Sequence, residues 1–143
     1  MKKVFLLVTL AVSFLIANAA DSNWPELKAF HGVMAQTFHP SQEGNLKPIR
    51  ERAGELVDKA VALSKSKIPA DLDAAKISAA LDRLVGGTKE VKAMVDAKAS
   101  DADITKSLSA VHNVFHEIAG MCEKEGEHEG YEGHDDHKGH DHK

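Results

Sequence analysis

The sequence predicts an all-α protein: an antiparallel, up-down-up-down four-helix bundle followed by a disordered His/Asp/Glu-rich C-terminal tail. Three observations lead there. Apolar residues recur three and four apart in four successive segments, the period that lines one face of a helix. Aromatics make up only 5% of the chain and the β-branched residues are scattered rather than alternating, so no strand pattern competes. The connections between the four segments are short, and amphipathic helices joined by short loops pack most simply as antiparallel neighbours.

Residues 1–20 come first and read as a secretion signal. Met1-Lys2-Lys3 is the basic start, Val4 to Ile16 the apolar run, and Ala17-Asn18-Ala19 the small-residue cleavage triplet. The mature chain is expected to begin at Ala20 or Asp21. The apolar run falls short of the ~20 residues a spanning helix needs, so no membrane anchor is expected after cleavage. No Cys stands at the cleavage point to mark a lipoprotein. The expected location is periplasmic or secreted.

Residues 21–122 read as the bundle, about one domain's worth of chain. The first helix is expected from about Trp24 to Phe38, with Asp21, Ser22 or Asn23 as cap and Pro25 in the first turn. Its stripe is Leu27, His31, Met34 and Phe38, and His39-Pro40 ends it because the residue before a proline is pushed out of the helical region. The second follows Asn45 to about Lys65, with Pro48 in its first turn. It buries Ile49, Ala53, Leu56, Ala60 and Leu63. The third begins after Pro69 with Asp71 as cap and buries Ile77, Leu81, Leu84, Val91 and Val95. Gly86-Gly87 in its middle predicts a kink or short break, each glycine costing roughly 1 kcal/mol against alanine. Ser100 with Asp103 forms a capping box for the fourth helix, whose inner face is Ile104, Leu108, Val111, Phe115, Ile118 and Cys122.

From residue 123 the apolar pattern stops. The tail, 123–143, has repeated Gly and dense charge and cannot bury enough surface to fold alone. Its interleaved Asp, Gly and Lys set it apart from an expression tag.

The formal net charge of -4 and the dispersed basic residues argue against a nucleic-acid partner. A single cysteine, Cys122, can form no disulfide within the chain, so packing must hold the bundle. Cys122 reads as a small buried apolar residue, with an intermolecular bridge or a metal ligand as the other possibilities. No catalytic arrangement emerges: Ser107 and Ser109 near His112 lack an elbow motif, and no Gly-rich phosphate loop is present. An enzyme is not expected.

The histidines carry the chemistry. His112 and His116 are one helical turn apart, the spacing that lets two imidazoles reach one ion. His31 lies in the first helix's stripe, and at ~1.5 Å of rise per residue it comes within a turn of His112's level. His31, His112 and His116 are therefore expected to converge on zinc, copper or nickel, with water, Glu117 or Glu123 completing the set. The alternative for each is a half-buried ring hydrogen-bonded to a carbonyl or carboxylate. His39 is expected mainly to cap the last carbonyls of its helix, with ligation a second possibility. In the tail, His128, His134, His137, His140 and His142 alternate with Asp135, Asp136 and Asp141, a pattern suited to chelating transition metals with moderate affinity and poor selectivity.

The stripe positions and His placements resemble the periplasmic four-helix bundles of the cytochrome b562 and cytochrome c′ type. The c′ type attaches haem through CxxCH late in the fourth helix, where this chain reads Gly120-Met121-Cys122-Glu123, without a second Cys or adjoining His. Covalent haem is therefore not expected. The b562 type holds haem between a first-helix Met and a fourth-helix His, which the resemblance maps onto Met34 with His112 or His116. His31 with His112 is the better-levelled pair. The segment His31 to Pro40 followed by Gly44-Asn45-Leu46-Lys47-Pro48 also looks like exported bacterial helical proteins related to this superfamily.

The expected function is an exported transition-metal-binding protein that sequesters, buffers or senses zinc, copper or nickel through inter-helix histidines and a chelating tail. Two alternatives stand beside it: a non-covalent b-type haem electron carrier, and a helical interaction or chaperone-like module whose histidines are incidental. The partners implied are metal ions; a homodimer is left open.

Overall fold

A computed structural model describes residues 24–124; the signal reading of 1–20 and the tail histidines fall outside the described residues. Four helices follow one another: α1 (Pro25–Gln42), α2 (Lys47–Lys65), α3 (Ala74–Asp96) and α4 (Asp101–Lys124). Each packs on its neighbour in the chain and α1 closes the ring against α4, with no diagonal contact among the described residues. This is the up-down-up-down bundle that the short connections predict. α1 and α4 meet least extensively of the four adjacent pairs.

The α2 and α4 stripes bury as their periodicity predicts: Ile49, Ala53, Leu56, Ala60 and Leu63 on α2, and Ile104, Leu108, Val111, Phe115, Ile118 and Cys122 on α4. On α3 the buried set adds Ala80 and Thr88, while Val95 is only half-buried. Ser100 caps α4 by accepting from the Asp103 backbone N–H, and its hydroxyl donates to the Asp103 carboxylate.

α1 departs from expectation in two ways. Its buried face is Phe30, Val33, Met34, Thr37 and Ser41, shifted one position back, so that Phe30 takes the core place expected for His31 and Thr37 that of Phe38. The shift is tolerable because neither buried hydroxyl lacks an acceptor. Thr37 Oγ1 donates to the Val33 carbonyl and Ser41 Oγ to the Phe38 carbonyl. The second departure is length. α1 runs through Pro40 to Gln42, because a proline in the last turn removes only one backbone hydrogen bond and the exit is held by a C-cap. Gly44 takes a positive φ of 82°, and the Asn45 N–H donates back to the Pro40 carbonyl.

Two further corrections concern α3. Its cap is Asp73, whose carboxylate accepts from the Lys76 N–H, not Asp71; the intervening Leu72 is drawn into the core by a turn whose N–H bonds the Pro69 carbonyl. The helix also runs unbroken through Gly86-Gly87. A Cβ on Gly87 would come within 2.8 Å of Val111 Cγ2, whereas one on Gly86 would meet nothing within 4 Å. Gly87 is thus the point where α3 and α4 approach each other closely. Trp24, 2% exposed, ties the start of α1 to the end of α2 through its Nε1–H, which donates to Ser66 Oγ at 2.7 Å.

Candidate functional site

The seam between α1 and α4 gathers the chemistry. All four histidines and all three phenylalanines among the described residues lie along it. On α1 the contributors are Phe30 and His31, then Phe38 and His39 two turns later; on α4 they are His112, Phe115 and His116. Each set repeats at helical spacing, so each presents one face to the seam. Rings of this size keep two backbones apart where Gly87 lets another pair close up.

His112 sits at the centre. Its ring stacks on Phe38 with centroids 3.8 Å apart and planes 13° from parallel. His116, one turn along, stands edge-on to it, and the two Nε2 atoms are 3.1 Å apart. As neutral rings they form a hydrogen bond in which one Nε2–H donates to the other's lone pair. The same separation suits a shared ion. Two imidazole nitrogens each ~2.05 Å from a metal lie about 3.1 Å apart when the angle between them is roughly 100°, between the square-planar and tetrahedral values. To bind, the donating ring moves its proton from Nε2 to Nδ1, with no net proton released by a neutral pair.

The seam's electrostatics favour that neutral state at His112. Burial first, then the charge of His116 and, more weakly, of His39 and His31, hold its imidazole below the ordinary value of 6.5.

The remaining expected ligands fall less simply. His31 is exposed and stacks on Phe115 at 4.8 Å, so it does not join His112 and His116 at one point. His31 thus lies beside Phe115, which is three residues and less than a turn from His112, while Phe38 and His39 are the α1 residues whose rings meet that of His112. His39, in the last turn of α1, has its ring 6.4 Å from that of His112, edge-on. It belongs to the seam rather than only to the helix end. Glu117 lies one residue past His116, but its carboxylate is taken by Arg83 of α3 at 2.6 Å, an ion pair that also lowers its pKa. Met34 is wholly buried in the core. Among the described residues, no group of three or more His, Cys, Asp or Glu side chains is arranged to hold a metal ion. His128, His134, His137, His140 and His142 lie outside the described residues.

The sequence places Phe38 and Phe115 only in apolar stripes and does not single out Phe30; what it does not show is their ring contacts with the histidines and with each other. Phe38 and Phe115 act as flat supports for imidazoles, and the i to i+7 recurrence of Phe38 after His31 was the available signal. No protein-family model, curated protein or solved structure matches this chain. What the fold defines is a class, an antiparallel four-helix bundle with an imidazole-lined α1–α4 seam. Among the described residues no helix is long and apolar enough to cross a membrane.

Proposed function

We propose that this is an exported transition-metal-binding protein whose bundle anchors zinc, copper(II) or nickel through His112 and His116. The observation that carries the reading is the 3.1 Å separation of the two Nε2 atoms, set by a one-turn spacing and steadied by the stack on Phe38. Imidazole pairs suit these ions, with copper(II) favoured by the general order of divalent affinities. The low basicity of His112 supports the same reading, because a ligand must be neutral to bind and protons compete less well for this ring. The role is sequestration, buffering or sensing rather than catalysis.

Titration of zinc and of copper(II) into the purified full chain tests it. Uptake at micromolar metal, weakening as pH falls through the imidazole range near ~6.5, is the expected result. No uptake at micromolar metal overturns the reading. A Soret band in the purified protein replaces it with haem carriage, and binding unchanged at pH 5 removes the histidines as ligands.

A further inference from the structure

Two imidazoles fill only part of a coordination sphere, since zinc sites are built from three or four protein ligands. His112 and His116 therefore call for at least one more donor. Glu117 is engaged with Arg83 at 2.6 Å, and His31 lies stacked on Phe115. His39 is placed differently. Its ring is exposed and stands edge-on to Phe38 at 5.6 Å and to His112 at 6.4 Å. Among the described residues no hydrogen bond or ion pair holds it in that position.

The backbones already bring His39 to the right level. Gln42 Nε2 donates to Ser109 Oγ at 3.4 Å, so the last turn of α1 lies beside that point of α4. His39 is three residues before Gln42 and His112 three residues after Ser109. Because the two helices are antiparallel, these steps of about 4.5 Å run the same way, and His39 shares a level with His112. The stack of Phe38 on His112 independently requires the same register. Direction agrees with level. Helical side chains lean toward their own N-terminus, so His39 leans along α4 toward His116, and His116 leans back toward His112.

The distance left to close is small. Rings whose nitrogens each sit ~2.05 Å from one ion have centroids about 5 Å apart. The His112 and His116 centroids, at 4.4 Å, are already within that separation, and those of His39 and His112, at 6.4 Å, exceed it by about 1.5 Å. An exposed histidine covers that by turning about χ1 and χ2 into another staggered well.

Resting on the metal-binding reading, we infer that His39 is the third ligand: its side chain turns onto an ion held by His112 and His116, forming a three-imidazole zinc site that bridges the last turn of α1 and the middle of α4. Water takes the fourth tetrahedral position. Only coordination bonds form. Because α1 and α4 meet least extensively of the adjacent pairs, the ion also fastens the seam where the bundle is least closed.

Imidazole-nitrogen NMR of the full chain in zinc-buffered solution tests this, with full-length H39Q and H31Q beside it. The readout belongs to single residues, so zinc taken up elsewhere in the chain does not obscure it. The His39 ring should become ligated, one nitrogen metal-bound and the other protonated, in step with His112 and His116. H39Q should raise the zinc concentration that half-shifts His112 and His116 by roughly 100-fold, the loss of one tethered ligand, while H31Q should move it less than twofold. Both substitutions fall at exposed positions, so the fold is kept. If His112 and His116 become ligated while His39 does not, or if H39Q changes their half-shift by less than twofold, the third-ligand assignment is wrong although the anchor stands. An H31Q loss as large as that of H39Q overturns the assignment too, since it describes packing of the seam rather than ligation. A chain in which none of the three rings responds to zinc overturns the functional reading itself.

Discussion

His112 is half-buried between Phe38 and His116, and its position has a consequence for stability as well as binding. Its imidazole titrates below 6.5 in the folded chain, while in the unfolded chain it titrates at the ordinary value. As pH falls below about 6.5 the unfolded state therefore takes up this proton first, and stability drops until His112's own lowered value is passed. Above that window the group contributes nothing. Urea midpoints should accordingly decline on going from pH 7.5 to 5, and H112Q should decline less. An equal decline in both would remove His112 as the cause. The i, i+4 spacing made the His112–His116 pair legible in the sequence. His31 was misplaced because hydrophobic periodicity cannot see that Thr37 and Ser41 satisfy their hydroxyls within their own helix, and so allow a face with two polar residues to be the buried one.

At the scale of the helices, α3 carries the sharpest test. Gly86 and Gly87 are adjacent and read alike in sequence, each a weak point in a helix interior. Packing separates them. Gly86→Ala adds a methyl group into open space and should stabilise the bundle by about 1 kcal/mol. Gly87→Ala drives a Cβ to 2.8 Å from Val111 Cγ2, so the same propensity gain is outweighed by overpacking, which costs about 1–3 kcal/mol. Fluorescence of Trp24, the single tryptophan, followed through urea denaturation compares them directly; equal stabilisation by both would mean that α3 and α4 do not approach closely there. The α3–α4 turn offers a second test. Lys98 closes α3 in the left-handed region at φ 54°, with its N–H bonded to the Val95 carbonyl and the Ala99 N–H to that of Met94. Gly is the usual residue at such a cap, so Lys98→Gly should raise the urea midpoint by an amount worth about 0.5 kcal/mol, and a lower midpoint would contradict the strain. Helix existence and the α2 and α4 faces were legible because five or six apolar residues repeat without interruption. The end of α1 was not, because the C-cap around Gly44 that carries the helix past Pro40 depends on backbone geometry rather than on residue pattern.

For the molecule as a whole, the four-helix architecture follows from pattern and loop length, while the α1–α4 seam follows from which faces those helices turn to each other. The proposed export matters at this scale: it would place nine histidines and a single cysteine beyond the thiol buffers of the cytoplasm, with none of the histidines in residues 1–20. The central claim is that His112 and His116 share one ion. Following their imidazole nitrogens by NMR while zinc is added to the full chain tests it most directly. Both residues should shift together and saturate within the first equivalent. Nitrogen resonances of His112 and His116 that stay in place while zinc is taken up elsewhere would contradict it.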